Sequence, residues 1–308
     1  MKNHIKIARP DHWIKNLFIM PGIVMALIIF GKEYFLPSIW NIIIGFIATC
    51  LIASANYVIN EWLDADFDKY HPIKKNRPVV VAGLKVSYIL IEYFLLAIVG
   101  SVLSLLINWH FLIVEWLLLL MGFLYNVKPF RTKDIPYLDV LSESFNNVIR
   151  LLLGWFMIND MYLPPLSVMI AYWLGGAYLM NIKRYAEYRM IHDPKQAGLY
   201  RNSFCYYTEN KLLGISIFYG MAATVAIALF TVHYRTEYMI ALPFVIGLFV
   251  FYFMLSFKED SVVQKPEKLY KEKKLFLYIL FLCVLLFVLS FVDIPGLHNY
   301  STMLKLLS

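Results

Sequence analysis

Charge is scarce in this chain. Only 16% of its 308 residues are charged, whereas 60% are hydrophobic, and an ordinary soluble domain has roughly a quarter of its residues charged. Several charge-free runs reach the ~20 residues that a helix needs to cross a bilayer. The clearest runs are Ser38–Ile59, Tyr93–Val114, Tyr162–Ile182, Leu212–Val232 and Tyr238–Phe257. The low charge therefore excludes a soluble globular protein and predicts a polytopic membrane protein.

Cysteine is also scarce. Cys50, Cys205 and Cys283 show no metal-type spacing, which argues against a cysteine metal site, and we interpret them as packing residues. The sequence has no low-complexity tract and no linker long enough to divide it. It also has no small-residue cleavage site after its first apolar stretch. We therefore predict a single membrane domain over residues 1–308, with a first span that is retained.

The apolar runs predict an all-α integral membrane protein with nine transmembrane helices. The predicted spans are residues 17–35, 38–59, 87–107, 110–127, 137–158, 163–182, 212–232, 238–257 and 275–292. If the N-terminus is cytoplasmic and the C-terminus outside, the inner segments hold 24 of the 28 lysines and arginines, as the positive-inside rule requires. We predict this topology in the cell (inner) membrane. The net charge of +7 then reflects topology and attraction to anionic lipid, and we expect no nucleic-acid partner.

The densest block of charge follows the second predicted span. Asn60, Asp64 and Asp68 are spaced i, i+4, i+8 and share one helix face, with Glu61 at its edge. Carboxylates this close repel one another unless a cation binds them, and a small set of hard oxygen ligands suits Mg²⁺. The alternative is a solvated helix end. We predict that these four residues bind Mg²⁺.

Cations follow the acidic residues. Lys74 and Arg77 lie on a loop that is bounded by prolines. A metal on one side and cations on the other is a recurrent way to hold a diphosphate and to stabilise its departure. We therefore predict a diphosphate site at the cytoplasmic face, with Asp64, Asp68, Lys74 and Arg77 as its catalytic residues.

The same residues resemble a known family. Asn60-Glu61-x-x-Asp64-x-x-x-Asp68 is similar to the N-D-x-x-D-x-x-x-D motif of the UbiA-type prenyltransferase superfamily, with Glu61 in place of the first aspartate. The resemblance implies nine transmembrane helices and an Mg²⁺ site at the cytoplasmic ends. Three other segments resemble the polyprenyl-phosphate phosphoribosyltransferase branch: Arg9-Pro10-x-x-Trp13-x-Lys15-Asn16, His71-Pro72-x-Lys74-x-x-Arg77-Pro78 and Lys183-Arg184-Tyr185-Ala186-Glu187.

The resemblance to this branch implies further substrate contacts. They are Lys15, Asn16, Asn60, Tyr125, Lys133, Asp139, Lys183, Arg184 and Glu187. The superfamily's second acidic motif, D-x-x-x-D, has no match here because Asp134 and Asp139 are five residues apart. The branch instead pairs Lys133 with Asp139. The loop between Tyr125 and Lys133 is longer than the branch leads us to expect.

Arg150 is predicted from its position inside the fifth span. Ionisable residues within a membrane are usually functional or paired, so we expect Arg150 to reach the substrate cavity. A structural pair with Glu143 is the alternative. For Lys183 and Glu187, the alternative is a salt bridge on the surface of one helix.

Two diphosphate donors fit such a site. Phosphoribosyl diphosphate would give its 5-phosphoribosyl group to a polyprenyl phosphate, or a prenyl diphosphate would give its prenyl group to an aromatic or other small acceptor. The many cations at one face favour the first reaction, which joins two highly anionic partners. The resemblance adds a role in supplying an envelope polysaccharide precursor. The alternative to an enzyme is a transporter, although transporters generally place ionisable groups near the midplane. The oligomeric state is left open.

Overall fold

The computed structural model describes residues 2–70, 74–82, 84–191, 194–258, 263, 272–294 and 296–297. These residues form helices and turns, and no strand occurs among them. The α-helices are α1 (Lys2–Ile7), α2 (Met20–Phe30), α3 (Ile39–Asp68), α4 (Pro78–Ala82), α5 (Val86–Leu105), α6 (Trp109–Asn126), α7 (Leu138–Phe156), α8 (Leu166–Ile191), α9 (Pro194–Tyr200), α10 (Glu209–Tyr234), α11 (Leu242–Leu255) and α12 (Lys273–Phe291). A ten-residue 3₁₀ helix spans Pro10–Ile19, and shorter ones lie at Lys32–Tyr34, Lys74–Asn76, Thr132–Asp134, Asn202–Cys205 and Thr236–Ala241. The all-α prediction is confirmed.

Seven helical segments in the described part of the chain are long and apolar enough to cross a membrane. They are Asn3–Phe30, Ile39–Asp68, Val86–Leu105, Trp109–Asn126, Glu209–Tyr234, Thr236–Leu255 and Lys273–Phe291. Helices α7 and α8 lie at the fifth and sixth predicted spans. Both are more polar, because α7 carries Asp139, Glu143 and Arg150 while α8 mixes Tyr, Trp, Asn and Lys with its aliphatic residues. Nine spans and the orientation of the termini therefore stay predictions.

Residues 1–164 and 191–208 form one compact unit. In this unit α3 packs against α5 and α6, and α7 packs against α2 and α6. The α2–α7 approach is close, since a Cβ atom added at Gly22 or Gly154 would collide with the facing backbone. Small residues permit such contacts between membrane helices. This packing holds the polar ends of α3, α6 and α7 in one place.

An apolar core lies beneath those polar ends. It contains Ile23 from α2, Ile52 from α3, Phe111 from α6 and Leu153 from α7, all buried. Because the same four helices build the core, their ends cannot shift independently without disturbing close packing.

Residues 165–190 and 209–308 form a second compact unit. Within it, the Asn181 side chain donates to the carbonyl oxygen of Leu212 at 2.6 Å and to Ser216 at 2.8 Å. The Tyr178 hydroxyl donates to the carbonyl oxygen of Phe249 at 2.5 Å. Such bonds satisfy polar side chains between membrane helices. A single domain over residues 1–308 stays a prediction.

Candidate functional site

The acidic end of α3 spreads over an arc of its helix. Each residue turns by about 100° on an α-helix, so Asn60 and Asp64 lie toward one edge of the arc, and Asp68 and Glu61 lie toward the other. The structure gives the two edges different partners. We call them the Asp64 side (Asn60 and Asp64) and the Asp68 side (Asp68 and Glu61).

Two buried cations meet on the Asp64 side. The Lys133 ammonium lies 2.5 Å from Oδ1 of Asp64, and the Arg131 guanidinium lies 3.0 Å from the same oxygen. The side chains of Lys133 and Arg131 are only 4% and 7% exposed. Burial strengthens these attractions and makes each charge dependent on its partner. It lowers the pKa of Lys133 to about 8, although Asp64 favours the charged form.

Asn126, at the end of α6, joins this cluster together. Its Oδ1 atom accepts hydrogen bonds from Asn60 and from Lys133, each at 2.7 Å. Its backbone carbonyl accepts a third bond from Arg131 at 3.1 Å. One side chain therefore connects α3, α6 and the loop before α7.

Arg131 is held from several directions. Its Nε atom donates to Asp134 at 2.8 Å, and its guanidinium lies 4.5 Å from the centre of the Phe67 ring. Its backbone has φ 29°, a left-handed conformation that is uncommon for a residue with a Cβ atom. Such conformations persist where surrounding contacts impose them, and they cluster at functional sites.

The Asp68 side has a different partner. The Arg77 guanidinium lies 2.5 Å from the buried Asp68 carboxylate, and the Arg77 side chain is 18% exposed. Although burial lowers the pKa of Arg77, the charges of Asp68 and Glu61 raise it above its usual value. Glu61 is buried, and its Oε1 atom has no hydrogen-bond partner among the described residues. Lys74 begins the 3₁₀ helix that precedes Arg77, whereas His71 and Pro72 of the predicted motif lie outside the described residues.

Tyr125 and Asp139 lie beside the Asp64 side but bond to protein groups. The Tyr125 hydroxyl donates to Glu143 at 2.7 Å. Asp139 is fully buried and accepts hydrogen bonds from Tyr207 at 2.6 Å and from Ser203 at 3.2 Å. Asp139 thus anchors the segment after α9, and a direct substrate contact by it stays a prediction.

Arg201 reaches the same region from that segment. It lies 3.7 Å from the Asp139 carboxylate and 3.4 Å from the Tyr125 hydroxyl oxygen. It also acts electrostatically on Asp64. A third cation therefore faces the Asp64 side.

Asn16 contacts Arg150, whereas Lys15 contacts His12. The Arg150 Nε atom donates to Oδ1 of buried Asn16 at 3.2 Å, and the Lys15 ammonium lies 2.9 Å from Nδ1 of His12. Arg150 thus links α7 to the 3₁₀ helix before α2. Glu143, its predicted alternative partner, accepts the hydrogen bond from Tyr125.

Lys183, Arg184 and Glu187 belong to α8 in the second unit. Arg184 and Glu187 are buried, and their charged groups lie 3.4 Å apart. Arg184, three residues before Glu187, thus forms an ion pair with it inside α8. Their contact with substrate stays a prediction.

Sequence reasoning missed Arg131, Asn126 and Arg201 as site residues. Asn126 ends an otherwise apolar run next to Tyr125, and Arg131 lies in the long loop before Lys133. The positions of Asn126 and Arg131 in the sequence could therefore have indicated that they belong to the site. Nothing in the local sequence indicated Arg201, since it approaches the site only through the fold.

The carboxylates suit a magnesium ion in their chemistry. Asp64, Asp68 and Glu61 are hard oxygen donors, and the unsatisfied Oε1 of Glu61 is available for a ligand. In the described residues no three His, Cys, Asp or Glu side chains converge as a ready metal cluster. The residues therefore fit Mg²⁺ if Asp64 and Asp68 exchange their present cationic partners for it.

The chain also matches a known protein family. The profile of the UbiA prenyltransferase family matches residues 19–282, which is most of the chain. This chain belongs to the UbiA prenyltransferase family. The predicted resemblance is confirmed, and family membership together with the apolar helices indicates a multi-pass membrane transferase.

Two similar proteins are named decaprenyl-phosphate phosphoribosyltransferase. The one from Mycolicibacterium smegmatis is 29% identical over 214 residues, covering 68% of this chain and 63% of the relative. The one from Corynebacterium glutamicum is 27% identical over 235 residues, covering 72% of this chain and 64% of the relative. The matched part thus spans slightly less than two thirds of each relative.

The fold also matches a solved structure. A UbiA homologue from Archaeoglobus fulgidus, bound to GPP and Mg²⁺, superposes with a TM-score of 0.69 at 17% identity, covering 92% of this chain and 99% of the homologue. At that identity the likeness establishes the shared fold.

Proposed function

We propose that this UbiA-family protein transfers the 5-phosphoribosyl group of phosphoribosyl diphosphate to a polyprenyl phosphate. The products are polyprenylphosphoryl-phosphoribose and pyrophosphate, with Mg²⁺ as cofactor and the reacting groups at the cytoplasmic face. Asn60, Glu61, Asp64 and Asp68 would hold the metal. The names of the two relatives support the choice of substrates, and the lipid product would serve as an envelope polysaccharide precursor.

The observation that carries the proposal is the pair of buried cations on Asp64. Arg131 and Lys133 lie 3.0 and 2.5 Å from Oδ1 of Asp64, and both side chains are buried. Two buried cations beside the proposed metal site suit a donor with more negative charge than a prenyl diphosphate. Phosphoribosyl diphosphate carries an additional phosphate, and its acceptor is also a phosphate.

The reaction exchanges one C–O bond for another at the anomeric carbon of the ribose. The bond to the diphosphate breaks, the diphosphate leaves with the electron pair, and an oxygen of the lipid phosphate forms the new bond. That oxygen is already ionised at neutral pH, so the protein needs no strong general base. When bound, Mg²⁺ supplies positive charge beside the departing diphosphate.

The residues of this chain would position and neutralise the reactants. Arg131, Lys133 and Arg77 exchange their carboxylate partners for donor phosphate oxygens. Fixed charges in a site shielded from water stabilise developing charge without costly rearrangement. Lys15 and Arg150 would add cationic contacts to the substrates, and the apolar helices would hold the isoprenoid chain and exclude water from the donor.

Prenyl transfer is the second candidate. The Archaeoglobus structure of the same fold contains GPP and Mg²⁺, so a prenyl diphosphate is a reasonable donor for this architecture. The two candidates share the metal and diphosphate sites and differ in the donor's transferred group and in the acceptor.

The test is a transfer assay with purified protein, Mg²⁺, a polyprenyl phosphate and phosphoribosyl diphosphate labelled in the ribose. We expect the label to move into the organic phase, and we expect an Asp64→Asn/Asp68→Asn variant to lose this transfer. A parallel reaction contains a labelled prenyl diphosphate and a panel of aromatic acceptors. Product only in that reaction would contradict phosphoribosyl transfer and favour the second candidate.

A further inference from the structure

Helices α3 and α6 are joined by three side-chain hydrogen bonds that follow one another in order along both helices. The donors, all on α3, are Thr49, Asn56 and Asn60, and the acceptors on α6 are the Glu115 side chain, the Leu118 carbonyl oxygen and the Asn126 side chain. Such bonds satisfy polar side chains between membrane helices. Because each bond joins a fixed position on one helix to a fixed position on the other, together they set the position of α6 along the axis of α3.

Asn56 makes the middle bond, and the orientation of its amide follows from chemistry. The Nδ2 atom lies 2.9 Å from the Leu118 carbonyl oxygen, which can only accept a hydrogen bond, so the amide nitrogen must face it. The Oδ1 atom of Asn56 is buried and has no hydrogen-bond partner among the described residues. A buried acceptor without a donor destabilises the fold. An apolar side chain would therefore serve better here if filling space were the only task of this position.

Gly122 makes room for the Asn56 side chain. A Cβ atom added at Gly122 would collide with Asn56, and the three atoms nearest to it are Oδ1, Cγ and Nδ2 of that side chain. The amide thus lies directly against the backbone of α6, an approach that small residues permit between membrane helices. Such close packing leaves α6 little freedom to slide along α3.

Gly122 is also connected to the candidate site, through its carbonyl group. This oxygen accepts a hydrogen bond at 2.8 Å from Nδ2 of Asn126, which is one turn further along α6. Since Nδ2 is used in this bond, Oδ1 of Asn126 is the atom that accepts from Asn60 and Lys133. One turn of α6 therefore carries the contact with Asn56 at one end and the acceptor for Lys133 at the other.

We propose that Asn56 is a positioning residue, which holds α6 at the place along α3 where Oδ1 of Asn126 meets Lys133. The Lys133 ammonium also contacts Asp64, so a shift of α6 would move a cation of the proposed diphosphate site. Asn56 lies four residues before Asn60 on α3 and extends the Asp64 side by one helical turn without contacting a substrate. The inference rests on the proposed function only for the ligand that reports the shift.

The experiment measures the affinity of the purified full chain for pyrophosphate in the presence of Mg²⁺ by titration calorimetry, together with Tm in detergent. Pyrophosphate leaves in both candidate reactions, so it reports on the site whichever donor is used. The variants are Asn56→Leu, which keeps the branched shape and removes the amide, Gly122→Ala, and Asn56→Ala with and without Gly122→Ala. The matched control is Gly100→Ala, whose new Cβ atom would press on Ile52 at the contact of α5 with α3.

We expect Asn56→Leu to weaken pyrophosphate binding about fivefold, the effect of one neutral hydrogen bond. Gly122→Ala should weaken it about tenfold or more, because the added methyl group forces α6 away from α3. In the Asn56→Ala protein, Gly122→Ala should add less than twofold, since the side chain that it would strike is gone. Gly100→Ala should lower Tm and change pyrophosphate binding less than twofold.

A second pair of variants tests the route through Asn126. Asn126→Leu removes the oxygen that accepts from Lys133. Adding Asn56→Leu to that variant should therefore weaken pyrophosphate binding less than twofold further. An undiminished fivefold effect would show that Asn56 acts on the site by another route and would contradict the proposal.

Two further outcomes overturn the proposal. In the first, Asn56→Leu and Gly122→Ala lower Tm but leave pyrophosphate affinity unchanged, as Gly100→Ala should, so that Asn56 merely joins two helices. In the second, Gly122→Ala is as harmful in the Asn56→Ala protein as in the unmodified one.

Failure of the proposed function gives a different result. If phosphoribosyl transfer is not detected but pyrophosphate binding responds to Asn56→Leu as expected, the positioning role stands and the proposed function fails. If transfer is detected and pyrophosphate binding does not respond to Asn56→Leu, the proposed function stands and the positioning role fails.

Discussion

The two sides of the acidic arc on α3 differ in where their cations come from. Asp68 meets Arg77, nine residues later in the chain, whereas Asp64 meets Arg131 and Lys133, which are 67 and 69 residues away. The distant pair is also the more buried, with side-chain exposures of 7% and 4% against 18% for Arg77. The ion pair on the Asp68 side therefore joins residues that are close in sequence. The ion pairs on the Asp64 side depend on the packing of α3, α6 and the loop before α7.

This difference indicates separate tasks for the two sides. Buried charges act strongly on a ligand because little water screens them, but they destabilise the protein when a partner is lost. We expect the Asp64 side to govern donor affinity and stability together. We expect the Asp68 side to affect catalysis with a smaller effect on folding.

The largest expected effect is that of Asp64→Asn compared with Asp68→Asn. Both changes should lower transfer at least about a hundredfold, because each removes a carboxylate from the proposed metal site. Asp64→Asn should also cost roughly 3 kcal/mol of stability, since it leaves two buried cations without their shared partner. Asp68→Asn should cost about half as much, because Arg77 can turn toward water.

Thermal unfolding in detergent, measured together with transfer activity, tests the comparison of Asp64→Asn with Asp68→Asn. An equal loss of stability in the two variants would show that the two sides are energetically alike. The control is donor binding in the absence of metal. We expect both variants to lose less of this binding than of their turnover.

The next largest effect is expected on the KM for the donor when Lys133 or Arg77 loses its charge. Lys133→Met, which keeps most of the length of the side chain and removes its charge, should raise the KM for the donor by roughly thirtyfold, because a buried charge is the stronger phosphate ligand. Arg77→Met should raise it by about tenfold. Initial rates at several donor concentrations measure both values, and a larger rise for Arg77→Met would reverse the proposed assignment.

A smaller effect is expected for the metal requirement of Arg131→Gln. Arg131 competes with a metal ion for Asp64, so its removal should lower the Mg²⁺ concentration for half-maximal activity by about fivefold. Direct Mn²⁺ binding without donor should tighten in the same proportion. An unchanged metal requirement would mean that Arg131 does not occupy a metal ligand in solution.

The smallest effect is expected for Asp134→Asn. This change removes one of the contacts that hold Arg131, an ion pair at 2.8 Å in which Asp134 is 20% exposed. Because Asp134 is partly exposed and Arg131 keeps its contacts with Asp64 and with the Asn126 carbonyl, the KM for the donor should change only about twofold. A change as large as that of Lys133→Met would show that the orientation of Arg131 controls the site.

Much of the architecture could be predicted because apolar runs of membrane length leave few alternatives to helices. Helices lie at all nine predicted positions, although seven helical segments are apolar enough by themselves to be assigned as spans. The first predicted span differs in form, since a 3₁₀ helix over Pro10–Ile19 precedes α2. The hydropathy of a short segment does not distinguish a 3₁₀ helix from an α-helix, because both helix types can bury a similar set of side chains.

The chain's own sequence determined the family, the helical class and the local part of the site. Asn60, Asp64 and Asp68 share a helix face by spacing alone, and Arg77 follows nine residues after Asp68. Only the tertiary structure decided that Arg131, Asn126 and Arg201 face Asp64. The physical reason is that a carboxylate pairs with whichever cation the core brings near, and that choice depends on how four helices pack around residues distant in sequence.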